Sequence, residues 1–337
     1  MATRVAIAGF GRMGRNIFRA LYPRDDIEIV AINDIADPKT MAYLMRFDTL
    51  RGRFAEPVTA VEGFLYAGGR RIPWLQEAEP GAVPWYDYGA DIVVEATGRY
   101  RTRAELTKHL EAGADRVILT ASPMDDLDTL HVAGVSGPIG REHRLISCGT
   151  STFNAVAVML KVLTRAFGVE EACFSAVHAY TSEQSLIDTP KGDNLRLSRA
   201  AVENIVPLGT WTSRAIPKLF PELEGKFSGS KMNVPVPDVS CVDLVATLSK
   251  KVEKGDVNEV FRSAAGSTMR GLLGFTEEPV VSSDAIGSTH SCIYDSLATM
   301  VTAGSMVKTI GWYEQGGGLA RRIVEVIEAC GPRRMSA

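Results

Sequence analysis

Near its N-terminus, the chain carries a short apolar segment that runs directly into a glycine-rich turn and then into a helical pattern. Residues 4–9 read RVAIAG, residues 9–14 read GFGRMG, and Ile17, Phe18 and Leu21 recur on one helical face. Glycines allow a sharp turn and a close backbone approach to a pyrophosphate, which the amides at the helix N-terminus then bind. A glycine pattern alone is weak evidence, but the strand before it and the helix after it predict a dinucleotide-binding turn.

An acidic residue follows the second predicted strand. Residues 27–32 read IEIVAI and lead into Asn33 and Asp34. A carboxylate at this point is placed to accept hydrogen bonds from an adenosine ribose, and its charge would repel a 2′-phosphate. Asp34 could instead merely cap the next turn. The order of strand, turn, helix, strand and acid favours the ribose role and therefore NAD over NADP.

The same alternation of strands and helices continues along the first half of the chain. Residues 90–95 (ADIVVE) and 116–120 (RVILT) are strand-like, and the segment 103–112 between them is helical in pattern. This order predicts a doubly wound α/β sheet. Since 337 residues exceed one typical hydrophobic core, we expect a second domain.

The composition argues against several other classes of protein. A net charge of −3 gives no electrostatic reason for a nucleic-acid or anionic membrane partner. No apolar run reaches the roughly 18–20 residues that span a bilayer, and residues 1–4 lack a signal-peptide layout. The five cysteines include no CxxC pair, so we expect neither a disulfide framework nor a metal site. These features predict a cytoplasmic protein.

Longer blocks of the sequence together resemble one family. AGFGRMGR, MAYLMRFDTLRGRF, DIVVEATGRY, SAVHAYTSEQ, VPVPDVSCVDLVA and MVKTIGWYE resemble blocks of glyceraldehyde-3-phosphate dehydrogenases, in order and over nearly the whole chain. The resemblance implies a Rossmann NAD-binding domain over residues 1–150. It also implies an α+β catalytic domain with a mainly antiparallel sheet over 151–315, and a C-terminal helix over 316–337 that returns to the first domain.

The resemblance also implies a mechanism and its two reacting positions. In this family a cysteine thiolate attacks an aldehyde with a histidine as its base, hydride passes to nicotinamide, and phosphate releases the thioester. His178 falls at the histidine position, and Ser151, 27 residues earlier, falls at the cysteine position without a gap. Cys148 would need an insertion to take that role and is otherwise interpreted as a buried structural thiol.

Serine is a poor replacement for the nucleophile, because its hydroxyl is scarcely ionised at neutral pH. Loss of a covalent nucleophile lowers the rate by a factor on the order of 10⁴–10⁶. Either a cysteine has been replaced on purpose, as is done to trap a ligand, or the natural protein lacks thioester chemistry. In both cases we expect this chain to be impaired.

The anion-binding positions of the family have changed as well. Leu197 and Asn233 stand where the resemblance implies two phosphate-binding arginines, and neither can hold a phosphate bidentately. Lys231, on the same face as Asn233 if the segment is a strand, could supply a charge instead. Arg196 and Arg199 could do so too, although solvated or interface charges are an equal alternative for all three. The remaining expected substrate or anion contacts are Thr150, Thr152, Thr181, Thr210 and Trp211, the last at a position where glycine is usual.

The cofactor-binding positions are mostly kept. Gln315 stands at the family's nicotinamide-binding asparagine and retains an amide, whereas Leu319 replaces a nearby tyrosine. The resemblance and the turn pattern together predict these cofactor contacts: Gly9, Phe10, Gly11, Arg12, Met13, Gly14, Asn33, Asp34, Thr97, Gly98, Thr120 and Gln315.

The leading hypothesis is an NAD-dependent aldehyde dehydrogenase that acts on a small anionic aldehyde other than glyceraldehyde 3-phosphate, with inorganic phosphate as a further candidate ligand. One alternative is an authentic phosphorylating glyceraldehyde-3-phosphate dehydrogenase. Another is a catalytically dead, NAD-binding paralogue with a sensor or assembly role. The segment 181–205 resembles the family's subunit-interface loop, which implies a homo-oligomer, expected to be a tetramer.

Overall fold

A computed structural model describes residues 2–192 and 194–332. Within these ranges the chain divides into two compact units. The first consists of residues up to 150 together with those from 319 onwards, and the second consists of residues 151–318.

The first unit contains eleven strands and three complete helices. In chain order they are β1 (Thr3–Ala8), α1 (Arg12–Leu21), β2 (Ile27–Asn33), α2 (Pro38–Arg46), β3 (Phe47–Asp48), β4 (Gly52–Arg53), β5 (Val58–Val61), β6 (Phe64–Ala67), β7 (Arg70–Leu75), β8 (Ile92–Glu95), α3 (Arg103–Glu111), β9 (Arg116–Leu119), β10 (Thr129–Leu130) and β11 (Leu145–Ser147), with a 3₁₀ turn at Pro80–Ala82.

Nine of these strands form one sheet in the order β10-β11-β9-β8-β1-β2-β7-β6-β5. Strands from β10 to β7 pair in parallel, and only β5 and β6 add antiparallel pairs at one edge. The chain leaves β1 for β2 on one side and later returns to β8 on the other. The predicted doubly wound sheet is therefore confirmed.

Strand β1 lies at the centre of this unit because both of its faces are apolar. Val5 and Ile7 pack into a core that includes Ile17 of α1 and Ile323 of the C-terminal helix. Ala6 and Ala8 face the opposite core, which includes Trp85. A strand buried on both faces requires a continuous apolar run, and residues 5–8 supply one.

The second unit contains three complete helices and seven strands that form one sheet. In chain order they are α4 (Ser151–Phe167), β12 (Val169–Ala179), β13 (Val206–Gly209), α5 (Thr212–Leu219), β14 (Phe227–Val234), β15 (Ser240–Leu248), α6 (Lys254–Gly266), β16 (Leu273–Thr276), β17 (Cys292–Thr302) and β18 (Met306–Tyr313), with 3₁₀ turns at Leu195–Ser198, Pro221–Leu223 and Ser282–Ala285. The last helix, α7 (Gly317–Cys330), belongs to the first unit from Leu319 onwards.

The seven-stranded sheet has the order β13-β14-β12-β15-β18-β17-β16. Four of its six strand pairs are antiparallel, and the pairs β12–β14 and β16–β17 are parallel. This arrangement confirms the predicted α+β domain with a mainly antiparallel sheet.

Helix α4 is buried on nearly all sides, as expected of a helix that is apolar around most of its circumference. It packs against β12, β15 and β18 and begins at Ser151. No helix in the described part of the chain is both long enough and apolar enough to cross a membrane.

Candidate active site

A cleft in the first unit lies at the carboxyl ends of β1, β2 and β8. Its lining includes Ala8, Asp34 and Glu95 from or beside these three strand ends. This is the point where the strand order reverses, because β2 and β8 lie on opposite sides of β1. Open α/β sheets bind ligands at such a point.

Three glycines shape the turn that enters this cleft, each for a different reason. Gly9 has a φ of +92°, and a Cβ at this position would overlap the backbone of Thr97. A Cβ at Gly14 would overlap the carbonyl oxygen of Gly9. A Cβ at Gly11 would meet nothing within 4 Å, so open space lies beside the N-terminus of α1. That opening fits the pyrophosphate of a dinucleotide.

The carboxylate of Asp34 is anchored but not saturated. Its Oδ2 accepts the backbone N–H of Phe10 at 2.6 Å, and its Oδ1 accepts that of Ala36 at 2.8 Å. A carboxylate has about four acceptor positions. The two that remain match the two hydroxyls of an adenosine ribose, so the residues of the cleft fit NAD.

A buried polar chain that the sequence did not predict lies under the cleft. Glu95 is fully buried, and its Oε1 accepts both the backbone N–H and the hydroxyl of Thr97. Its Oε2 lies 3.1 Å from Nε2 of His109, whose Nδ1 accepts the indole N–H of Trp85 at 2.9 Å. Because indole only donates, Nε2 is the nitrogen that carries the hydrogen and donates it to Glu95. This series of buried hydrogen bonds fixes Thr97 against Gly9.

The other predicted cofactor residues differ in their surroundings. Phe10 is buried in the core and its backbone N–H donates to Asp34, whereas Arg12 is exposed and Met13 half-buried. Asn33 uses its amide to hold the backbone of Glu77, at 2.9 Å in both directions. Gly98 has a φ of +71°, and Thr120 donates its N–H to the carbonyl of Glu95. Direct contacts of these residues with the cofactor remain predictions.

In the second unit, Ser151 occupies the first position of α4. Its hydroxyl donates to the backbone carbonyl of Gln315 at 2.7 Å. A helix N-terminus favours a negative charge, and would lower the pKa of a thiol at this position. An alcohol gains too little from the same field to ionise at neutral pH.

His178, at the end of β12, has a defined tautomer. Its Nδ1 lies 2.7 Å from the carbonyl oxygen of Ala179, which can only accept. Nδ1 also lies 3.3 Å from the Gln315 amide nitrogen, which can only donate. The much shorter contact with the carbonyl favours a hydrogen on Nδ1, which leaves the lone pair of the neutral ring on Nε2. The side-chain amide of Gln315 donates to the same carbonyl at 3.1 Å. Gln315 thus packs beside His178, and its predicted contact with the nicotinamide remains a prediction.

Tyr313 lies next to this group and was not singled out from the sequence. It is buried, and its hydroxyl lies 2.7 Å from that of Thr152. Burial raises the pKa of Tyr313 well above its usual range, so the phenol stays protonated. Its ring meets that of His178 edge-on, with centroids 6.3 Å apart. The hydroxyl of Thr152 is therefore already engaged within the second unit.

The predicted anion-binding residues of β14 lie on the same side of the sheet as His178. In the parallel pair β12–β14, His178 is registered with Asn233, and Ala176 with Lys231. Asn233 is buried and donates from Nδ2 to Oε1 of Gln184 at 2.6 Å. Gln184 is a residue that sequence reasoning missed, because it lies in a turn without periodicity.

The remaining predicted substrate contacts lie at helix starts. Trp211 precedes α5 and packs against Phe153 of α4, with ring centroids 5.1 Å apart. Thr210 accepts the N–H of Thr212 at 3.3 Å, and Thr150 is half-buried. The rings of Phe153 and Trp211 thus lie together at the N-terminal ends of α4 and α5.

Cys148 lies in the core of the first unit, with 1% of its surface exposed. Burial raises the pKa of its thiol well above the usual range, so the thiolate is strongly disfavoured. This environment is that of an inert structural thiol.

Comparison with known proteins bears directly on these two units. Residues 3–103 match the family described as glyceraldehyde 3-phosphate dehydrogenase, NAD binding domain, and residues 147–315 match its C-terminal domain. The chain belongs to the glyceraldehyde-3-phosphate dehydrogenase family. It is an oxidoreductase of this family with NAD as its cofactor, as predicted.

Individual relatives of this family member span its whole length. Glyceraldehyde-3-phosphate dehydrogenase 1 of Bacillus cereus is 40% identical over 326 residues, 96% of this chain and 97% of the relative. A glyceraldehyde-3-phosphate dehydrogenase of Geobacillus stearothermophilus is 42% identical over 328 residues, 97% of each chain. One from Streptomyces coelicolor is 42% identical over 330 residues, 97% of this chain and 98% of the relative.

Proposed function

We propose that this family member is an NAD-dependent aldehyde dehydrogenase for a small anionic aldehyde other than glyceraldehyde 3-phosphate. Position 151 is the site of the nucleophile, and Nε2 of His178 is the base that takes its proton. Bound NAD would accept the hydride from the substrate carbon. Ser151 makes the present chain a weak catalyst, because an alcohol is scarcely ionised where a thiol would be.

The register pair of His178 and Asn233 carries this proposal. His178 is retained as the base, with its lone pair on Nε2. Asn233 places a buried neutral amide where the family resemblance implies a guanidinium. A site that retains its base while losing a phosphate-binding charge supports the same reaction class on a different aldehyde.

One observation favours a second candidate, an NAD-binding paralogue without aldehyde chemistry. The hydroxyl hydrogen of Ser151 is donated to the carbonyl of Gln315 at 2.7 Å. A hydroxyl has a single hydrogen, so this one is not directed at the base in the same arrangement. Such a protein would bind NAD and leave the aldehyde unreacted.

Turnover by the Ser151→Cys variant separates these candidates. We expect NAD reduction with carboxylate aldehydes to exceed that with glyceraldehyde 3-phosphate by about two orders of magnitude or more in kcat/KM. Each missing guanidinium contact accounts for about 1.5–3 kcal/mol. Efficient, phosphate-dependent turnover of glyceraldehyde 3-phosphate would refute the proposal. NAD binding without turnover of any aldehyde would support the paralogue.

A further inference from the structure

Buried polar atoms without partners cluster beside the base. Among the described residues, Oδ1 of Asn233, Nε2 of Gln184 and Oγ1 of Thr181 are buried and have no hydrogen-bond partner. Thr181 and Gln184 are the ends of one turn, closed by a hydrogen bond from the Gln184 N–H to the Thr181 carbonyl at 3.0 Å. An unpaired buried polar group is destabilising, so three together point to a missing ligand.

Hydrogen bonds within the cluster fix which atoms are donors. The backbone N–H of Thr181 donates to the side chain of Gln184 at 3.4 Å, so the atom facing it is the carbonyl oxygen, Oε1. The same Oε1 receives the Asn233 amide, whose facing atom must then be Nδ2. Nε2 of Gln184 is therefore left as a donor and Oδ1 of Asn233 as an acceptor.

Lys231 adds one positive charge to the cluster. It lies two residues before Asn233 on the same face of β14 and is half-buried. Within the described ranges its ammonium group makes no hydrogen bond and no ion pair within 4 Å. Burial lowers the pKa of Lys231, and the exposed carboxylate of Glu183 acts in the opposite direction. Glu183 belongs to the same turn as Thr181 and Gln184. Lys231 thus shares a face of β14 with Asn233 and is influenced by a charge in the turn that holds the other two residues.

We propose that Lys231, Gln184, Thr181 and Asn233 form a subsite for a carboxylate with a neighbouring hydroxyl group, so that the substrate is a short hydroxylated carboxylate aldehyde. This assignment rests on the proposed aldehyde dehydrogenase function. Lys231 and Nε2 of Gln184 would hold the carboxylate, and Oδ1 of Asn233 would accept the substrate hydroxyl.

The charge count disfavours a phosphate in this subsite. A phosphate dianion has two negative charges, and the cluster offers one cation that Glu183 partly offsets. Neither a phosphate dianion nor a carboxylate has a hydrogen for the oxygen of Asn233, so a hydroxyl beside the anion is required in addition. In a hydroxylated monocarboxylate, the carboxylate would meet Lys231 and Nε2 of Gln184, and the hydroxyl would meet Oδ1 of Asn233.

Ligand binding tests the subsite without any turnover. For calorimetric titrations, the Ser151 protein is first saturated with NAD. Malate, succinate and 3-phosphoglycerate are then titrated in as probes of the oxidised product. We expect malate to bind at least about tenfold tighter than succinate, which lacks the hydroxyl, and than 3-phosphoglycerate. Equal or tighter binding of 3-phosphoglycerate, or no binding of malate, would overturn the subsite.

Two substitutions test whether the residues of the subsite bind malate. Lys231→Met should weaken malate binding about tenfold or more, while its melting temperature is unchanged or higher because a half-buried charge is removed. Lys226→Met, at an exposed lysine just before β14, is the matched control and should change neither malate binding nor the melting temperature.

Asn233→Leu should abolish the preference for malate over succinate. A preference that survives would contradict the role of Oδ1. Failure of Ser151→Cys to turn over an aldehyde would refute the proposed function but leave these binding results intact.

Discussion

The backbone N–H of Phe10 donates to Oδ2 of Asp34 at 2.6 Å and so joins the glycine turn to the acid that follows β2. This bond fixes the carboxylate in the lining of the cleft, where two acceptor positions remain for a ligand. Two segments separated in sequence thereby line one cleft.

Asp34 should make the protein select NAD. We expect NAD to bind at least about tenfold tighter than NADP, a difference of about 1.4 kcal/mol, because the carboxylate repels a 2′-phosphate. Asp34→Ser should narrow this ratio, and Asp87→Ser, at an exposed carboxylate away from the cleft lining, should preserve it. Comparable calorimetric affinities of the unaltered protein for NAD and NADP would contradict this role.

The buried chain of Trp85, His109 and Glu95 should stabilise the first unit. His109→Phe leaves an indole N–H and a carboxylate buried without their partner, so we expect a loss of about 2–4 kcal/mol. Chemical denaturation measures this change, and NAD affinity should fall with it because Thr97 loses its fixed position. His143→Phe, at a partly exposed ring, is the control. Equal free energies of unfolding of the two variants would show that the buried polar residues Trp85, His109 and Glu95 contribute little to stability.

The fold and the cofactor turn were predictable because their signals are local. Residues 4–21 carry strand, turn and helix patterns in one continuous segment, and Asp34 follows the next strand. The pair of Glu95 and His109 was not predictable, because a periodic pattern indicates that a residue is buried but not which partner it meets. Their contact arises only in the folded unit, where the last turn of α3 meets the end of β8.

The candidate substrate site shows the same limit. The shared face of Lys231 and Asn233 followed from their spacing, and the structure places both on β14 as expected for a strand. Gln184 was missed because its position depends on the turn after β12 and on a contact with a strand 49 residues away. Side-chain pairing across turns is set by tertiary packing.

Cys148 should be inert in the folded protein. Its raised pKa means that the thiol ionises only at a higher pH than an unfolded cysteine, near 8.5, so the reactive thiolate is scarce at pH 8. After a brief iodoacetamide pulse, mass spectrometry should find the exposed Cys173 modified and Cys148 protected. Denaturant should remove the protection. Rapid labelling of Cys148 in the folded protein would make Cys148 a candidate nucleophile again.

The segment 181–205 should bury its apolar side chains against other copies of the chain. Leu186, Ile187 and Leu195 are 71%, 73% and 79% exposed within one chain. Exposed apolar side chains in a segment that resembles the family's interface loop favour burial against another copy. We propose a homotetramer, which light scattering would detect. Ile187→Glu should shift the protein to smaller species, whereas Met124→Glu, at another exposed apolar residue, should not. A monomer across a wide concentration range would contradict the assembly.

The most direct test of position 151 and His178 is a pre-steady-state measurement of NADH formation with the Ser151→Cys variant. With a suitable aldehyde, we predict a burst of NADH approaching one equivalent per active site. Ser151→Cys with His178→Asn should slow the burst about 10²–10⁴-fold, because the base is gone, and Ser151→Cys with Cys148→Ala should retain it. Loss of the burst in the Cys148→Ala background, or an unchanged burst without His178, would contradict the account.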